Sequence, residues 1–538
     1  MRYLLSILLL LLWTSSAACQ EPISQVNADP KLILWLKTNV SPKTGLPLSF
    51  HVSDTLKAAT YEAIGPSDSL TAIIERLIIE EGVSIYDAAL WQITLGTLGG
   101  SDSLRAASLP FNIYYAGHLK ELKSIRAGYP NQPFISDPLN PEAVASDLTS
   151  LGKRGFLFRI LNAHGKYNTS DPLDGKTKFK DFPTWPTVHW EDWKPIAGEN
   201  AWVVIAAMHL YHKKYFDPRT GAYAHNSKAL EIKLAEELAR AALILQADNG
   251  GIRMAPMGTY NHLLNIDNND TVPGIQKQLD AHALSRTLIT PLEMFTESDF
   301  DFSTVSEEFK WHYFETSTEN NLSWYTALRM LYTVTGKPVY QRAMDGIENY
   351  LKEVWSPVDG YFYQGMHFTD GAWIPNTEYF ATDCQTWGLA KLGPAKIDEW
   401  FGEGSAHRMW ARTSEMTGVF DDENRILGVG FTRENSRLSI EWTVGAIYAA
   451  NELAQYYKVE HPKWSDLARR DAASMRRGIE NYRFELSTGT AAYSYSSERN
   501  WIPFGWFSHE PHVMSLVSTC WVALLDARFN PFFINKND

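Results

Sequence analysis

Cysteine and basic residues are both scarce in this chain of 538 residues. Its three cysteines, Cys19, Cys384 and Cys520, are too few for a disulfide framework or a thiolate metal site, and we interpret the last two as buried free thiols. Asp and Glu outnumber Lys and Arg by 62 to 49, which gives a formal net charge of −13. Because a phosphate-binding surface needs concentrated Lys and Arg, nucleic acid is excluded as the expected ligand, and a neutral or weakly charged ligand is favoured.

Long apolar runs are also rare, and the clearest one lies at the N-terminus. Residues 4–13 are apolar and follow Arg2, and small residues then lead to Ala18 and Cys19. The run is too short to span a membrane, so residues 1–18 are predicted to be a signal peptide. Cleavage after Ala18 would place Cys19 first, as in a bacterial lipoprotein, although Ser16 stands where that motif usually has Leu. The predicted location is therefore the periplasm, the outer membrane through a lipid anchor at Cys19, or the medium.

Motifs of several common catalytic and cofactor sites are missing. The chain has no Gly-x-Ser-x-Gly elbow, Walker loop, dinucleotide-binding fingerprint or His-Glu-x-x-His zinc helix, and its 15 histidines are scattered. Residues 267–270 read Asp-Asn-Asn-Asp but lack the glycine and terminal glutamate of a calcium loop, so they predict a turn. We therefore expect no metal and no cofactor.

What the sequence does contain is a repeated pairing of helices. Helices with a polar stripe alternate with helices that are apolar almost all round, and most of the latter begin beside an acid. This pattern predicts an all-α (α/α)6 toroid of six inner and six outer helices, with long loops and short β segments on the active face. The outer helices are expected near residues 69–81, 101–122, 228–247, 338–354, 397–417 and 463–482. The inner helices are expected at residues 84–98 and beginning near Glu199, Glu319, Asp383, Glu441 and Pro511.

The predicted domain organisation follows from this alternation of inner and outer helices. Residues 19–66 are an N-terminal extension, residues 67–530 are the (α/α)6 catalytic domain, and residues 531–538 are a C-terminal tail. Two stretches, at about 126–195 and 254–315, interrupt the helices and are predicted to be insertions. Because such long loops in compact domains are usually functional, the first is expected on the active face. The chain is expected to be a monomer.

If the inner helices all point the same way, their acids meet at one mouth of the ring. Aromatic faces stack on the apolar faces of pyranose rings while carboxylates and amides bond the hydroxyls, so this mixture of side chains predicts a glycan cleft. Residues 189–200 favour it most strongly, because acids and tryptophans are interleaved there. The residues predicted to bind the glycan are Asp87, Trp190, Glu191, Asp192, Trp193, Asn200, Trp202, Asn320, Asn321, Gln385, Trp387, Glu441, Trp442, Trp506 and His509.

Carboxylates at a helix start also have a purely structural explanation. The spacings from Ser84 to Asp87 and from Thr316 to Glu319 match a capping box or its Asp variant, in which the acid accepts a backbone N–H group. Either acid could therefore serve the helix instead of a ligand.

Hydrolysis of a glycosidic bond needs one protonated carboxyl, and one carboxylate that activates water or attacks directly. The second and fourth inner helices would bring Glu199 and Asp383 across the mouth from each other. Glu199 is therefore predicted to be the acid and Asp383 the base, with Glu319 in reserve for either role.

Segments around these acids resemble those of the (α/α)6-toroid glycoside hydrolases. The resemblance rests on Gly198-Glu199-Asn200-Ala201-Trp202, on residues 317–325, on Asp383-x-Gln385-Thr386-Trp387 and on residues 439–443. It covers about residues 67–530, and the nearest group is that of the endo-β-1,2-glucanases. The resemblance implies an exported, inverting hydrolase that pairs an acid Glu with a distant Asp and acts on an oligo- or polysaccharide, expected to be a β-glucan.

Three other functions stay open on the sequence. A toroidal polysaccharide lyase would use a Tyr or His base in a basic cleft, whereas the mouth segments here are mostly acidic. A sugar epimerase would place paired histidines in the mouth, where His189 and His509 are available. A non-catalytic surface glycan-binding protein would keep the tryptophans and lose the acid pair.

Overall fold

The computed structural model describes residues 28–65, 70–114, 156–157, 159–164, 190–192, 196–255, 311–433, 437–503 and 506–534. The predicted signal peptide, Cys19, His189, Trp193 and most of both predicted insertions lie outside these residues. In the described part, no helix combines the length and the apolar character needed to cross a membrane.

Helices make up most of the described chain. In chain order they are α1 (Pro30–Thr38), α2 (Asp54–Ile64), α3 (Leu70–Glu81), α4 (Ile85–Leu98), α5 (Ser101–Tyr114), α6 (Ala197–Tyr215), α7 (Leu230–Ile244), α8 (Thr318–Thr335), α9 (Pro338–Glu353), α10 (Thr382–Leu392), α11 (Pro394–Phe401), α12 (Ser405–Thr417), α13 (Ile440–Tyr456), α14 (Pro462–Glu480) and α15 (Leu516–Asp526).

Six of these helices form a closed inner ring: α4, α6, α8, α10, α13 and α15. Each one packs against the next in chain order, and α15 returns to pack against α4. They are buried on nearly all sides because they carry few charges. In α13, for example, Glu441 is the only charged residue among the first 12. The inner half of the predicted (α/α)6 toroid is therefore present.

The outer helices pack on the inner ones, which confirms the fold class. Helix α5 packs on α4, α7 on α6, α9 on α8, α12 on α10 and α14 on α13. Helix α14 is buried along one side, where Ala468, Ala472, Met475 and Ile479 lie. The outer segment predicted at residues 397–417 is two helices, α11 and α12, because Gly402 and Gly404 adopt positive φ angles between them.

The sixth outer position is filled by α1, which comes from the predicted N-terminal extension. Helix α1 packs against both α15 and α4. Its Trp35 and Leu36 are buried, and the indole N–H of Trp91 in α4 donates to the carbonyl of Leu36 at 2.7 Å. The predicted boundary at residue 66 is therefore not a structural one, since these N-terminal residues belong to the ring.

Short strands lie next to the starts of the inner helices. Strand β2 leads directly into α4, β7 into α8 and β18 into α15. The larger sheets have the orders β1-β18-β15-β14, β11-β10-β7 and β2-β3-β4, and their pairs are antiparallel. The strands are β1 (Phe50–His51), β2 (Gly82–Ser84), β3 (Ile160–Asn162), β4 (Trp190–Asp192), β5 (Phe216–Asp217), β6 (Ala222–Tyr223), β7 (Glu315–Ser317), β8 (Trp355–Ser356), β9 (Tyr361–Phe362), β10 (Gly365–Thr369), β11 (Ala372–Asn376), β12 (Gly418–Phe420), β13 (Ile426–Val429), β14 (Arg483–Glu485), β15 (Ala491–Ser494), β16 (Trp501–Ile502), β17 (Trp506–Phe507) and β18 (Met514–Ser515).

The predicted start of the sixth inner helix near Pro511 is wrong. Residues 511–513 form a turn and a bend, Met514 and Ser515 then pair with β1 and β15, and α15 begins at Leu516. The Ser515 side chain then caps the helix by accepting the N–H of Ser518. The acid-bearing segment around Glu510 therefore precedes a strand and not a helix.

The C-terminal residues fill the axis of the ring. Residues 531–534 were predicted to belong to a tail, but the Phe532 side chain is fully buried. Its ring centroid lies 5.9 Å from that of Trp202, 6.1 Å from that of Trp387 and 5.6 Å from that of Trp521. Three inner helices hold the segment by hydrogen bonds from Arg329, His209 and Tyr448 to the carbonyls of Phe532, Pro531 and Phe529.

Candidate active site

Five of the six inner helices carry an acid in their first turn. These acids are Asp87, Glu199, Glu319, Asp383 and Glu441, while the first turn of α15 has none. They are close enough for their charges to act on one another. The pKa of Asp383 is raised by burial and then by Glu319, and the pKa of Glu319 is raised by burial and also by Glu199. The ring thus gathers acids from positions hundreds of residues apart into one cluster.

Serines, and not these acids, cap four of the six inner helices, whereas the N-cap residues of α6 and α10, Ile196 and Ala381, make no side-chain cap. The side chain of Ser84 accepts the N–H of Tyr86, and that of Ser317 accepts the N–H of Asn320. The N–H of Ser84 itself is bonded to the side chain of Ser49, so Asp87 does not complete a capping box. The structural explanation of the acids therefore does not hold for α4 and α8, and their carboxyl groups are available for other contacts. Ser439 and Ser515 cap α13 and α15 in the same way.

A close approach between two helix starts joins Glu199 to Glu319. A Cβ atom added to Gly198 would lie 2.2 Å from Oδ1 of Asn320 and 3.1 Å from Oε2 of Glu319. Only glycine leaves room for this contact. The starts of α6 and α8, with their two glutamates, therefore lie side by side.

Glu199 is held as an ion pair. Nε of Arg159 lies 2.7 Å from its Oε1, and the two side chains are 24% and 16% exposed. A guanidinium at this distance forms a strong, charge-assisted hydrogen bond that fixes the position of the carboxylate. Arg159 lies beside β3, but nothing in the sequence indicated that it pairs with Glu199.

Asp383 has the opposite environment. Its side chain is buried, and burial together with the negative charge of Glu319 raises its pKa from 3.8 to about 8. The N–H of Cys384 donates to Oδ1 at 2.8 Å, which opposes the shift without cancelling it. This environment favours the protonated form of Asp383.

Glu441 and Asp87 complete the cluster on the side of α13 and α4. Burial raises the pKa of Glu441 to about 8 and that of Asp87 to about 7. The hydroxyl of Tyr86 donates to Oε1 of Glu441 and in turn accepts the indole N–H of Trp521 at 3.1 Å. Tyr86 was not among the predicted site residues, although it stands next to Asp87.

Three of the predicted amides hold the backbone instead of facing a ligand. The buried carboxamide of Asn200 accepts the N–H of Leu157 at 2.8 Å and donates to the carbonyls of Leu157 at 3.0 Å and Ile196 at 2.9 Å. With its donors engaged, it has no N–H left for a sugar hydroxyl, so its predicted role in glycan binding is corrected. Asn321 does the same with Ile252 and Ser317, and Gln385 with Phe362 and Ala381.

Asn320 differs from these amides. It is 4% exposed, yet its Nδ2 has no hydrogen-bond partner among the described residues. A buried N–H donor without a partner is costly unless a ligand or water satisfies it. Because Asn320 lies between Gly198 and Glu319, its Nδ2 is a candidate ligand contact.

The tryptophans predicted as sugar platforms are mostly core residues. Trp202, Trp387 and Trp442 are only 1%, 3% and 3% exposed. Trp202 and Trp387 pack against each other with ring centroids 5.5 Å apart, and Tyr86 lies 5.2 Å from Trp202. These rings therefore form an apolar floor beneath the acids, with no open face for stacking, and the platform prediction is corrected for them.

Trp506 and His509, the two predicted site residues near the last strands, form a wall that is separate from the acids of the inner helices. Trp506 is half-buried, and its indole donates to the hydroxyl of Tyr495 at 3.1 Å. Nδ1 of His509 lies 3.0 Å from Oε1 of Glu75, and Arg499 bonds the same carboxylate. Although burial alone would raise the pKa of Glu75, the hydrogen bonds from His509 and Arg499 outweigh it and lower the pKa. His509 adopts φ 59°, so its orientation is imposed at a cost in backbone strain.

The segment that carries Trp190, Glu191 and Asp192 is described only as backbone. It forms β4, in which Trp190 pairs with Leu161 and Asp192 with Ile160. This places the segment beside Arg159, while Trp193 lies outside the described residues. Within the described part, no three His, Cys, Asp or Glu side chains are arranged to hold a metal ion, and the absence of a cofactor stays a prediction.

Comparison with known proteins gives matches among solved structures only. No protein-family model matches the sequence, and no curated protein does so either. A sugar epimerase from a ruminal bacterium is similar over 93% of this chain and 96% of its own, at 10% identity and a TM-score of 0.48. Cellobiose 2-epimerase from Spirochaeta thermophila matches over 93% and 94% at 12% identity and a TM-score of 0.44. A GH76 α-mannanase from Bacteroides thetaiotaomicron matches over 84% and 89% at 12% identity and a TM-score of 0.42. All three are enzymes of carbohydrates, but similarity at this level does not identify an activity.

Proposed function

We propose that this protein is a glycoside hydrolase that cleaves an oligo- or polysaccharide with a pair of carboxyl groups. The observation that carries the proposal is the contrast between Asp383, a buried carboxyl with a raised pKa, and Glu199, which forms an ion pair with Arg159. Glycoside hydrolysis needs one protonated carboxyl and one carboxylate. Export to the periplasm, outer membrane or medium, a lipid anchor at Cys19, a β-glucan substrate, an inverting outcome and a monomeric state are parts of the same proposal.

The environments favour the reverse of the roles predicted from the sequence. Asp383 would protonate the leaving oxygen, because its raised pKa keeps a proton available near neutral pH. Glu199 would activate water, because Arg159 holds its carboxylate in place. Glu319 lies between them, since α8 stands between α6 and α10 in the ring. The sequence could not assign these roles, because they depend on burial and on an arginine from a different part of the chain.

A glycan panel tests the proposal. Release of reducing ends would be measured for the wild type and for Glu199→Gln and Asp383→Asn. We expect each variant to lose 10²- to 10⁴-fold in kcat, the usual contribution of a general acid or base. Glu236→Gln is the matched control, because Glu236 is an ion-paired glutamate on the outer helix α7 and should leave activity unchanged.

The products separate the competing functions. Full activity in both Glu199→Gln and Asp383→Asn would overturn the proposed roles. An unsaturated product that absorbs in the ultraviolet would indicate a lyase. Glycan binding without turnover would indicate a binding protein.

One observation favours a second candidate, a sugar epimerase. The imidazole of His509 is oriented by the buried carboxylate of Glu75, an arrangement typical of a proton-transferring histidine. If the protein is an epimerase, the wild type would change the configuration of a sugar without breaking a glycosidic bond. The variant His509→Gln would lose that activity.

A further inference from the structure

A lysine is buried beneath the acid cluster. Lys391, in the last turn of α10, has no exposed surface. Its Nζ lies 4.1 Å from the ring centroid of Trp387, 5.3 Å from that of Trp202 and 5.2 Å from that of Phe532. Lysine is almost never fully buried unless a partner compensates the lost hydration. The aromatic faces supply part of this compensation.

The remaining compensation comes from a hydrogen-bonded path to Glu319. Nζ of Lys391 donates to Oγ of Ser323 at 2.8 Å, and that hydroxyl donates to Oε1 of Glu319 at 2.8 Å. The serine thus receives a hydrogen bond from the ammonium and gives one to the carboxylate. A carboxylate oxygen accepts in this order, and although burial raises the pKa of Glu319, Lys391 and Ser323 both act to lower it.

We infer that Lys391 is a positioning residue that keeps Glu319 ionised through Ser323, so that the one proton of the Glu319–Asp383 pair stays on Asp383. The inference rests on the proposed function, in which Asp383 is the acid. Two neighbouring carboxyls share protons as a pair, and a small difference in their surroundings decides which one is protonated. Ser323 and Lys391 supply that difference on the Glu319 side.

The groups that face Lys391 come from each side of its pocket. Helix α8 contributes Glu319 and Arg329, and α10 contributes Asp383 and Cys384. The Arg329 guanidinium donates to the Lys391 carbonyl at 3.1 Å. From α6, α10 and the C-terminal segment the neighbours are the uncharged rings of Trp202, Trp387 and Phe532. Burial lowers the pKa of Lys391 to about 7, although Glu319 and Asp383 oppose this shift.

Replacing Lys391 with methionine tests the inference, because methionine fills a similar volume without charge. Loss of the ammonium should raise the pKa of Glu319 and move the acidic limb of the kcat/KM profile upward by about one pH unit, a tenfold change in proton affinity. Ser323→Ala should move it in the same direction, and Lys391→Arg should restore part of the shift. A purely structural lysine would change the amplitude of the profile and leave both limbs in place, and that result would overturn the inference.

Lys352→Met is the matched control. Lys352 also lies over a tryptophan, with Nζ 4.9 Å from the ring centroid of Trp400, but it is exposed on the outer helix α9. This variant makes the same substitution at a lysine–tryptophan contact away from the acids. Its pH profile should match that of the wild type.

A titration without substrate separates this inference from the proposed function. In protein labelled with ¹³C at lysine Cε, the resonance missing from Lys391→Met should titrate near pH 7 in the wild type, and at lower pH in Glu319→Gln. A resonance unmoved by Glu319→Gln would overturn the inference even if glycans are cleaved. If the resonance titrates as expected but the protein cleaves no glycan, only the hydrolase proposal would be overturned. If Lys391→Met does not fold, Ser323→Ala serves for the same profile, and an unmoved acidic limb in that variant would overturn the inference.

Discussion

At the scale of single residues, the site depends on which side chains are left free at a helix start. Serine caps on α4, α8 and α13 satisfy backbone N–H groups that the neighbouring acids could otherwise have satisfied. The acids on these three helices, Asp87, Glu319 and Glu441, therefore remain available, but at positions where burial raises their pKa values. On these three helices, the capping serine and the acid are separate residues two or three positions apart.

Gly198 is the residue whose replacement should act most directly on the geometry of the site. In Gly198→Ala the new methyl group would collide with Asn320 and crowd Glu319. We expect kcat on a cleaved glycan to fall at least about tenfold, since displacements near 1 Å cost this much or more. Gly96→Ala is the control, because its added methyl group would meet only a flexible leucine side chain in the ring. Equal activities in the two variants would contradict the proposed contact.

The adjacent pair Asn320 and Asn321 should separate ligand binding from stability. Asn321→Ala leaves the buried peptide group of Ile252 without partners and should lower the free energy of unfolding by about 1–3 kcal/mol. Asn320→Ala removes a side chain whose Nδ2 has no partner among the described residues, so the cost in stability should be small. Chemical denaturation and glycan affinity would be measured for both. The prediction fails if Asn320→Ala is the more destabilising of the two.

At the scale of elements, one side chain near the start of an inner helix holds a peptide group of the chain that precedes it. Asn200, Asn321 and Gln385 do so with carboxamides, and Thr443 and Thr519 with hydroxyls that accept the N–H of Val429 and Tyr493. These contacts set the loops above each helix start. They explain why amides stand beside the acids in the sequence, a position that also suits sugar binding.

The sequence predicted the elements better than the contacts between them. Apolar residues at helical spacing indicated the inner helices, because burial on all sides leaves few charges in α4 or α13. The ion pair of Glu199 with Arg159 and the path from Lys391 to Glu319 join segments far apart in the chain. No local pattern encodes such pairs. The sequence also could not show whether Trp202 is buried or exposed, because a tryptophan near an acid is compatible with a core position and with a binding site.

The C-terminal segment should be as important to the ring as a helix. Phe532→Ala would empty the space between Trp202, Trp387 and Trp521 and should lower the free energy of unfolding by about 3–5 kcal/mol. Phe420→Ala, at a side chain that is 42% exposed, should change it by less than about 0.5 kcal/mol. Denaturant unfolding followed by tryptophan fluorescence would show the difference. A small change in the free energy of unfolding for Phe532→Ala would mean that the C-terminal segment contributes little to the stability of the ring.

At the scale of the whole molecule, closing the ring gathers carboxyl groups that resist ionisation. Folding places Asp383, Glu441 and Asp87 where burial raises the pKa, from 3.8 to about 8, from 4.5 to about 8 and from 3.8 to about 7. The folded state therefore binds more protons than the unfolded state between these limits. As the pH rises, the raised pKa values of these buried acids therefore lower the stability of the folded protein.

The free energy of unfolding should accordingly fall as the pH increases from about 4 to 8. Each group with a raised pKa contributes stability that is complete below its unfolded value and lost as the pH rises to its folded value, with a slope of up to about 1.4 kcal/mol per pH unit. Asp383→Asn removes one such group, so its stability relative to the wild type should grow from pH 4 to pH 8 and then level off. Denaturant titrations of both proteins across this range would measure the difference. A difference that does not change with pH would mean that Asp383 ionises in the folded protein as it does in water, and it could then not be the acid.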